Sequence, residues 1–224
     1  MSAIRLLVLG AVRQHGRAHG YQVRNDLEYW GAHEWSNAKP GSIYHALKQM
    51  AKQGVLLAHE VAPSAAGGPP RTEYELTDAG REEYVRLLRE ALAGHGQHRD
   101  SLSAAIGFMV DLPRAEVLVL LRERLERLAA WRAAVTGRHL PEEGPERPGH
   151  IGEITDMWLH TADAEAAWTL GLAGRIEGGA YVFAGEGEPF VGVLPEGAGA
   201  PPGGGAGGGN PYPYAAGRGP ADAG

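Results

Sequence analysis

The 224-residue sequence predicts a mostly α-helical chain with two ordered parts and an unstructured tail, on three observations. Helix-period apolar runs punctuated by Gly and Pro fill the first 95 residues and close on two short strand-like runs. Between residues 114 and 135 apolar side chains recur about every 3.5 positions. The third is the glycine distribution: 16 of 34 fall in residues 178–224. So few apolar side chains cannot offset the entropy of ordering, and residues 195–224 are expected to be disordered.

The elements follow in chain order. From Ser2 to Gln14, the residues Ile4, Leu7, Val8, Ala11 and Val12 fall at helical spacing behind Ser2 as N-cap. Gly16 and Gly20 punctuate a turn, and Tyr21, Val23, Leu27 and Trp30 mark a second helix reaching about Gly31. After a polar connection, Lys39-Pro40-Gly41-Ser42 opens a third helix, with proline in the first turn where its missing N–H costs nothing. Ile43, Leu47 and Met50 turn inward, leaving Ser42, His45, Lys48, Gln49 and Lys52 on the opposite face. Gly54 ends this helix. Val55–Val61 and Thr72–Leu76 read as strands flanking the loop APSAAGGPPR, and Thr77 caps a fourth helix carrying Tyr84, Leu87, Leu88 and Leu92. Three short helices followed by a hairpin define a winged helix-turn-helix. In that fold the third helix enters the DNA major groove and the hairpin tip follows the backbone or minor groove.

Charge decides between a solvated polar face and a nucleic-acid surface. The chain carries 21 Lys+Arg and 27 Asp+Glu, a net charge of −6, which taken whole disfavours DNA. Residues 1–60, however, hold seven basic and four acidic side chains, a local +3. Through residue 90 the balance is +1, so residues 91–224 carry −7. The basic excess, the order of elements and Arg71 at the base of the wing together favour DNA over bland solvation. Ser42 and the free amides of the helix start suit a phosphate, His45, Lys48 and Gln49 reach base edges, and Arg71 clamps the backbone. Tyr44 either packs beside the core or reaches a phosphate.

Other classes are disfavoured. With no cysteine there is no disulfide, thiolate metal site or cysteine nucleophile. Arg5 and Arg13 interrupt the apolar start, which therefore lacks the form of a signal peptide, and no apolar run approaches the ~18 residues of a membrane span. A soluble, cytoplasmic protein is expected. An enzyme is not: GGGAGGG is low complexity with no preceding strand, and no catalytic, metal or cofactor constellation stands out.

The runs LLVLGAVRQHGRAHGYQV, KPGSIYHALKQMAKQGVL and GGPPRTEYELTDAGREEY resemble the DNA-binding domain of the PadR-like transcriptional regulators. The specific pieces are His19-Gly20-Tyr21, Gly41-Ser42-Ile43-Tyr44 with Ala46-Leu47, and Pro70-Arg71 through Tyr74 to Leu76-Thr77-Asp78-Ala79-Gly80. The resemblance covers about residues 3–90. It implies a ligand-responsive regulator, most often a repressor, acting as a homodimer on a palindromic operator, and it points to Tyr21, Ser42, Tyr44 and Arg71 as DNA contacts. The loop Ala62–Gly68 lacks the usual charged wing tip, which shifts the burden to Arg71. The full DNA-facing set is Tyr21, Lys39, Ser42, Tyr44, His45, Lys48, Gln49 and Arg71.

In the second half, helices are expected at Ser101–Val110, ended by Pro113, at Arg114–Val135 and at Ile151–Leu172. The middle one aligns Val117, Leu121, Leu125, Leu128, Trp131 or Arg132, and Val135, beside a Glu123–Arg127 pair. Such a seam serves a dimer interface or a monomer core, and the dimer is favoured. The last helix carries Ile154, Trp158, Ala162 and Trp168. Trp131, Trp158 and Trp168 are the candidates for binding a small aromatic or hydrophobic effector, with ordinary core as the alternative. Glu153, Asp156, His160 and Asp163 share a helix face that is read as solvated charge, so no metal is assigned. AYVFAGEGEPFVGVL, Ala180–Leu194, suggests a small hairpin. The expected layout is 1–95 winged helix-turn-helix, 99–175 helical dimerisation and effector domain, 176–194 hairpin, and 195–224 tail. The alternative function is a protein-interaction adaptor presenting Pro211-Tyr212-Pro213-Tyr214 from that tail.

Overall fold

The computed structural model describes residues 3–36, 38–61, 71–95, 99–137, 150 and 152–187. The proposed cap Ser2, the wing tip 62–70, and the tail with the second half of the expected hairpin lie outside the described residues. The chain is mostly helical with one small antiparallel sheet, as the sequence predicts. It divides into two compact units within the fourth long helix, between Tyr84 and Val85.

The first unit holds α1 (Ala3–His15), β1 (Arg17–His19), α2 (Gly20–Tyr29), α3 (Ala32–Trp35), α4 (Pro40–Lys52), β2 (Leu56–Val61), β3 (Arg71–Leu76) and the start of α5 (Asp78–Ala93). Two of these were not expected. β1 is three residues long and completes a sheet of order β1-β3-β2, pairing Arg17 with Glu75, Ala18 with Tyr74 and His19 with Glu73. α3 is a single turn that begins after Gly31, whose φ of 63° ends α2 in the left-handed region favoured by glycine.

α1 is the centre of this unit. Leu6 through Val12 are all buried, so the helix is enclosed on every side over this stretch rather than on the one stripe its spacing suggests. Each such aliphatic side chain contributes about 1.5–3 kcal/mol. At its ends polar groups are paired: Arg5 forms a two-pronged bond to Glu83 at 2.5 and 2.8 Å, and His15 Nε2 lies 2.6 Å from the buried Asp26 carboxylate.

The wing joins the helices through Thr77. Its hydroxyl lies 2.7 Å from the Gly54 carbonyl and 3.0 Å from that of Val55, and it accepts the Gly80 amide at 3.1 Å as the expected cap of α5. The end of α4 and the start of α5 are thereby locked side by side.

The second unit contains the rest of α5, α6 (Arg99–Phe108), a 3₁₀ turn at Met109–Asp111, α7 (Arg114–Thr136) and α8 (Gly152–Glu177). α7 packs along α8. Its buried residues are Val117, Leu120, Leu121, Arg124 and Leu128, so Leu120 and an arginine occupy seam positions where the spacing analysis placed Leu125, which is only half-buried. Arg124 is held by Glu165 at 2.7 Å and by the Gly94 carbonyl, while Arg127 donates to the Ala93 carbonyl at 3.1 Å. Two guanidinium groups thus satisfy carbonyls at the C-terminal end of α5, where the helix dipole is negative.

Beyond α8 the chain folds back. The Arg114 guanidinium binds the Glu186 carboxylate at 2.6 and 2.7 Å and the carbonyls of Ala180 and Tyr181 at 3.1 and 2.9 Å, and stacks 4.7 Å from the centre of the buried Phe183 ring. Residues 178–187 form turns here and contain no strand.

Candidate nucleic-acid interface

α4 is built to show one face. Ile43, Leu47 and Met50 are buried, and Tyr44, His45, Lys48, Gln49 and Lys52 are exposed on the remaining surface. Lys39 precedes the helix in extended conformation with φ −79° and ψ 152°, and Pro40 occupies the first turn as expected. The amides of Gly41 and Ser42 therefore have no acceptor within the helix and point out of its positive end. No carboxylate lies on α4, and among the described residues none of Lys39, Lys48 and Lys52 is ion-paired. These cations need not leave a protein partner to meet a phosphate.

Two tyrosines flank the start of this face. Tyr21 follows Gly20 at the start of α2, is 44% exposed, and stacks on His19 with ring centres 5.4 Å apart and planes 15° from parallel. Tyr44 is 37% exposed and lies over Gly20 itself: a Cβ there would come 2.6 Å from Tyr44 Cε1. The structure thus brings Tyr21, Tyr44 and the α4 face into one surface. Arg71 opens β3 opposite Val61, at the wing end of the sheet.

The sheet carries a charge network that the sequence did not reveal. Arg17 and His59 both bind the Glu75 carboxylate, each at 2.9 Å, and hold it below the usual carboxylate range, His59 most strongly. His19 faces Glu73 at 3.3 Å. The register explains this: Glu73 and Glu75 sit on the central strand between partners supplied by both edge strands. Period-2 alternation would have placed these carboxylates on one face, but with β1 unrecognised their partners Arg17 and His19 were invisible.

In the second unit Trp131 is half-buried and meets His95 edge-on at 5.9 Å. Burial first and the Arg124 cation second push the His95 imidazole below its ordinary value. Trp158 and Trp168 stand on α8, 50% and 41% exposed. They are ten residues apart, about 15 Å along the helix axis. Glu153, Asp156, His160 and Asp163 are exposed, with Asp163 bound to Arg132 at 2.7 Å.

The helices, wing and exposed α4 face of the first unit define a winged-helix protein. Residues 8–86 match the model of the transcriptional regulator PadR-like family. Among solved structures, the chain is similar to Bacillus subtilis PadR in complex with operator DNA, at 22% identity over 77% of this chain and 98% of that one, with a TM-score of 0.34. The PadR-like transcriptional regulator BC1756 from Bacillus cereus matches at 21% identity over 77% and 94%, with a TM-score of 0.33. Bacillus subtilis PadR in complex with p-coumaric acid matches at 20% identity over 78% and 99%, with a TM-score of 0.31. No curated protein matches the chain significantly. Among the described residues no helix is long and apolar enough to cross a membrane.

Proposed function

We propose that the protein is a sequence-specific DNA-binding repressor that acts as a homodimer on a palindromic operator and is released by a small aromatic or hydrophobic effector. The observation that carries DNA binding is the α4 face, where lysines without an ion pair among the described residues, His45 and Gln49 stand exposed directly behind a helix start with free amides. Tyr21, Lys39, Ser42, Tyr44 and Arg71 serve the phosphate backbone in this reading, and His45, Lys48 and Gln49 read bases.

Dimerisation is supported by α8. Ile154, Met157, Trp158 and Trp168 are all more than two-fifths exposed and recur at helical spacing beside the stripe that holds the buried Ala162, Thr169, Leu172 and Ile176. A second copy covers such a stripe by helix pairing. The His95–Trp131 pair is the surface on which a flat effector stacks in this reading.

Selection of DNA from a random pool by the purified protein tests the reading. A palindrome with half-sites about one helical turn apart is expected. Failure to enrich any sequence at moderate salt overturns the proposal.

A further inference from the structure

We infer that Gly20 is a positioning residue that holds the Tyr44 ring where its hydroxyl meets a DNA phosphate, an inference that rests on the DNA-binding reading above. Tyr44 is a surface residue on α4, and a surface tyrosine with nothing across its ring samples several rotamers. Here something lies across it. At Gly20 a Cβ would stand 2.6 Å from Tyr44 Cε1, 3.1 Å from Cδ1 and 3.4 Å from Leu47 Cδ1.

The backbone of Gly20 does not require glycine. It opens α2 as a regular helical residue and is not among the glycines with positive φ. What requires the missing side chain is the aromatic ring itself, a rigid group that yields only by swinging away as a whole. The close approach seats the ring directly on the start of α2 and limits its freedom.

Toward the helix start, the neighbours of Tyr44 are Gly41 and Ser42, whose free amides suit the same phosphate run. A hydroxyl fixed before binding loses no rotamer entropy on contact.

The test is a double-substitution cycle read in both affinity and stability. Gly20→Ala is expected to weaken binding to selected and random DNA alike by about tenfold, the size of one charge-assisted hydrogen bond. In a Tyr44→Ala background, where the ring no longer fills the space, the same Gly20→Ala change is expected to have no further effect on affinity. Equal losses with and without Tyr44 overturn the inference, because they show Gly20 acting on the fold generally. Thermal unfolding of the same four proteins without DNA separates the two levels: if the wild type binds no DNA, the functional reading fails, while rescue of Gly20→Ala stability by Tyr44→Ala still reports the packing. Should Gly20→Ala alone fail to fold, its recovery in the Tyr44→Ala background supports the seat, and its failure there overturns it.

Discussion

Gly80 shows how much a single residue decides. A Cβ at this position would stand 2.1 Å from the Val55 carbonyl oxygen and 3.2 Å from its carbon, against backbone that cannot move without breaking the Thr77 clasp. Gly80→Ala is expected to destabilise the chain by about 3 kcal/mol in chemical denaturation. Gly41 provides the contrast, since nothing lies within 4 Å of its added Cβ, and Gly41→Ala is expected to stay within about 0.5 kcal/mol of wild type. Similar stabilities for the two variants would show that the wing does not pack on α5 this closely. Glycine at 80 is thus a packing requirement, as it is at 20, whereas at 31 it is a conformational one.

At the scale of elements, α4 carries the proposed reading face and the end of α5 supports the fold. On α4, Lys48→Ala or Gln49→Ala is expected to change the preferred sequence in competition binding. Lys39→Ala, at the helix start, is expected to weaken all sequences alike and lower the slope of log affinity against log salt by about one. Loss of selectivity from Lys39→Ala would contradict this division. At the end of α5, burial first and the Arg124 cation second lower the His95 imidazole from its ordinary value. As pH falls through the ordinary imidazole range near 6.5, the unfolded chain takes up a proton before the folded one does, so stability declines. The unfolding midpoint should fall less between pH 8 and pH 5.5 in His95→Gln than in wild type. An identical fall in both proteins would remove His95 as a source of acid sensitivity.

For the molecule as a whole, the net charge of −6 describes neither unit. The first 90 residues are slightly positive and the remainder carries −7. In the proposed dimer, assembly rests on apolar contact. Trp158→Glu on the exposed α8 stripe is expected to turn a dimer into a monomer in sedimentation at micromolar concentration. The same change is expected to abolish cooperative occupation of paired half-sites while leaving the first unit folded. A dimer that persists with Trp158→Glu and Met157→Glu combined would place the self-association surface elsewhere.

The sequence by itself determined the long helices, the two long strands of the wing and the composition of the α4 face. Each depends on side chains three or four residues apart, on a proline or glycine at an end, or on a threonine cap, all of them local features. The motif His19-Gly20-Tyr21 and the motif Gly41-Ser42-Ile43-Tyr44 were both visible, but their mutual fit was not. That fit joins residues 24 positions apart through a ring and a missing Cβ. β1 escaped because three residues carry no periodicity, and their pairing partners lie more than 50 positions away on β3. The burial of Arg124 and the all-round enclosure of α1 escaped for the same reason, since helical spacing identifies an apolar stripe but not how many neighbours surround the helix. Only the tertiary structure supplies those neighbours, because chain entropy allows distant segments to meet only when the whole core forms together.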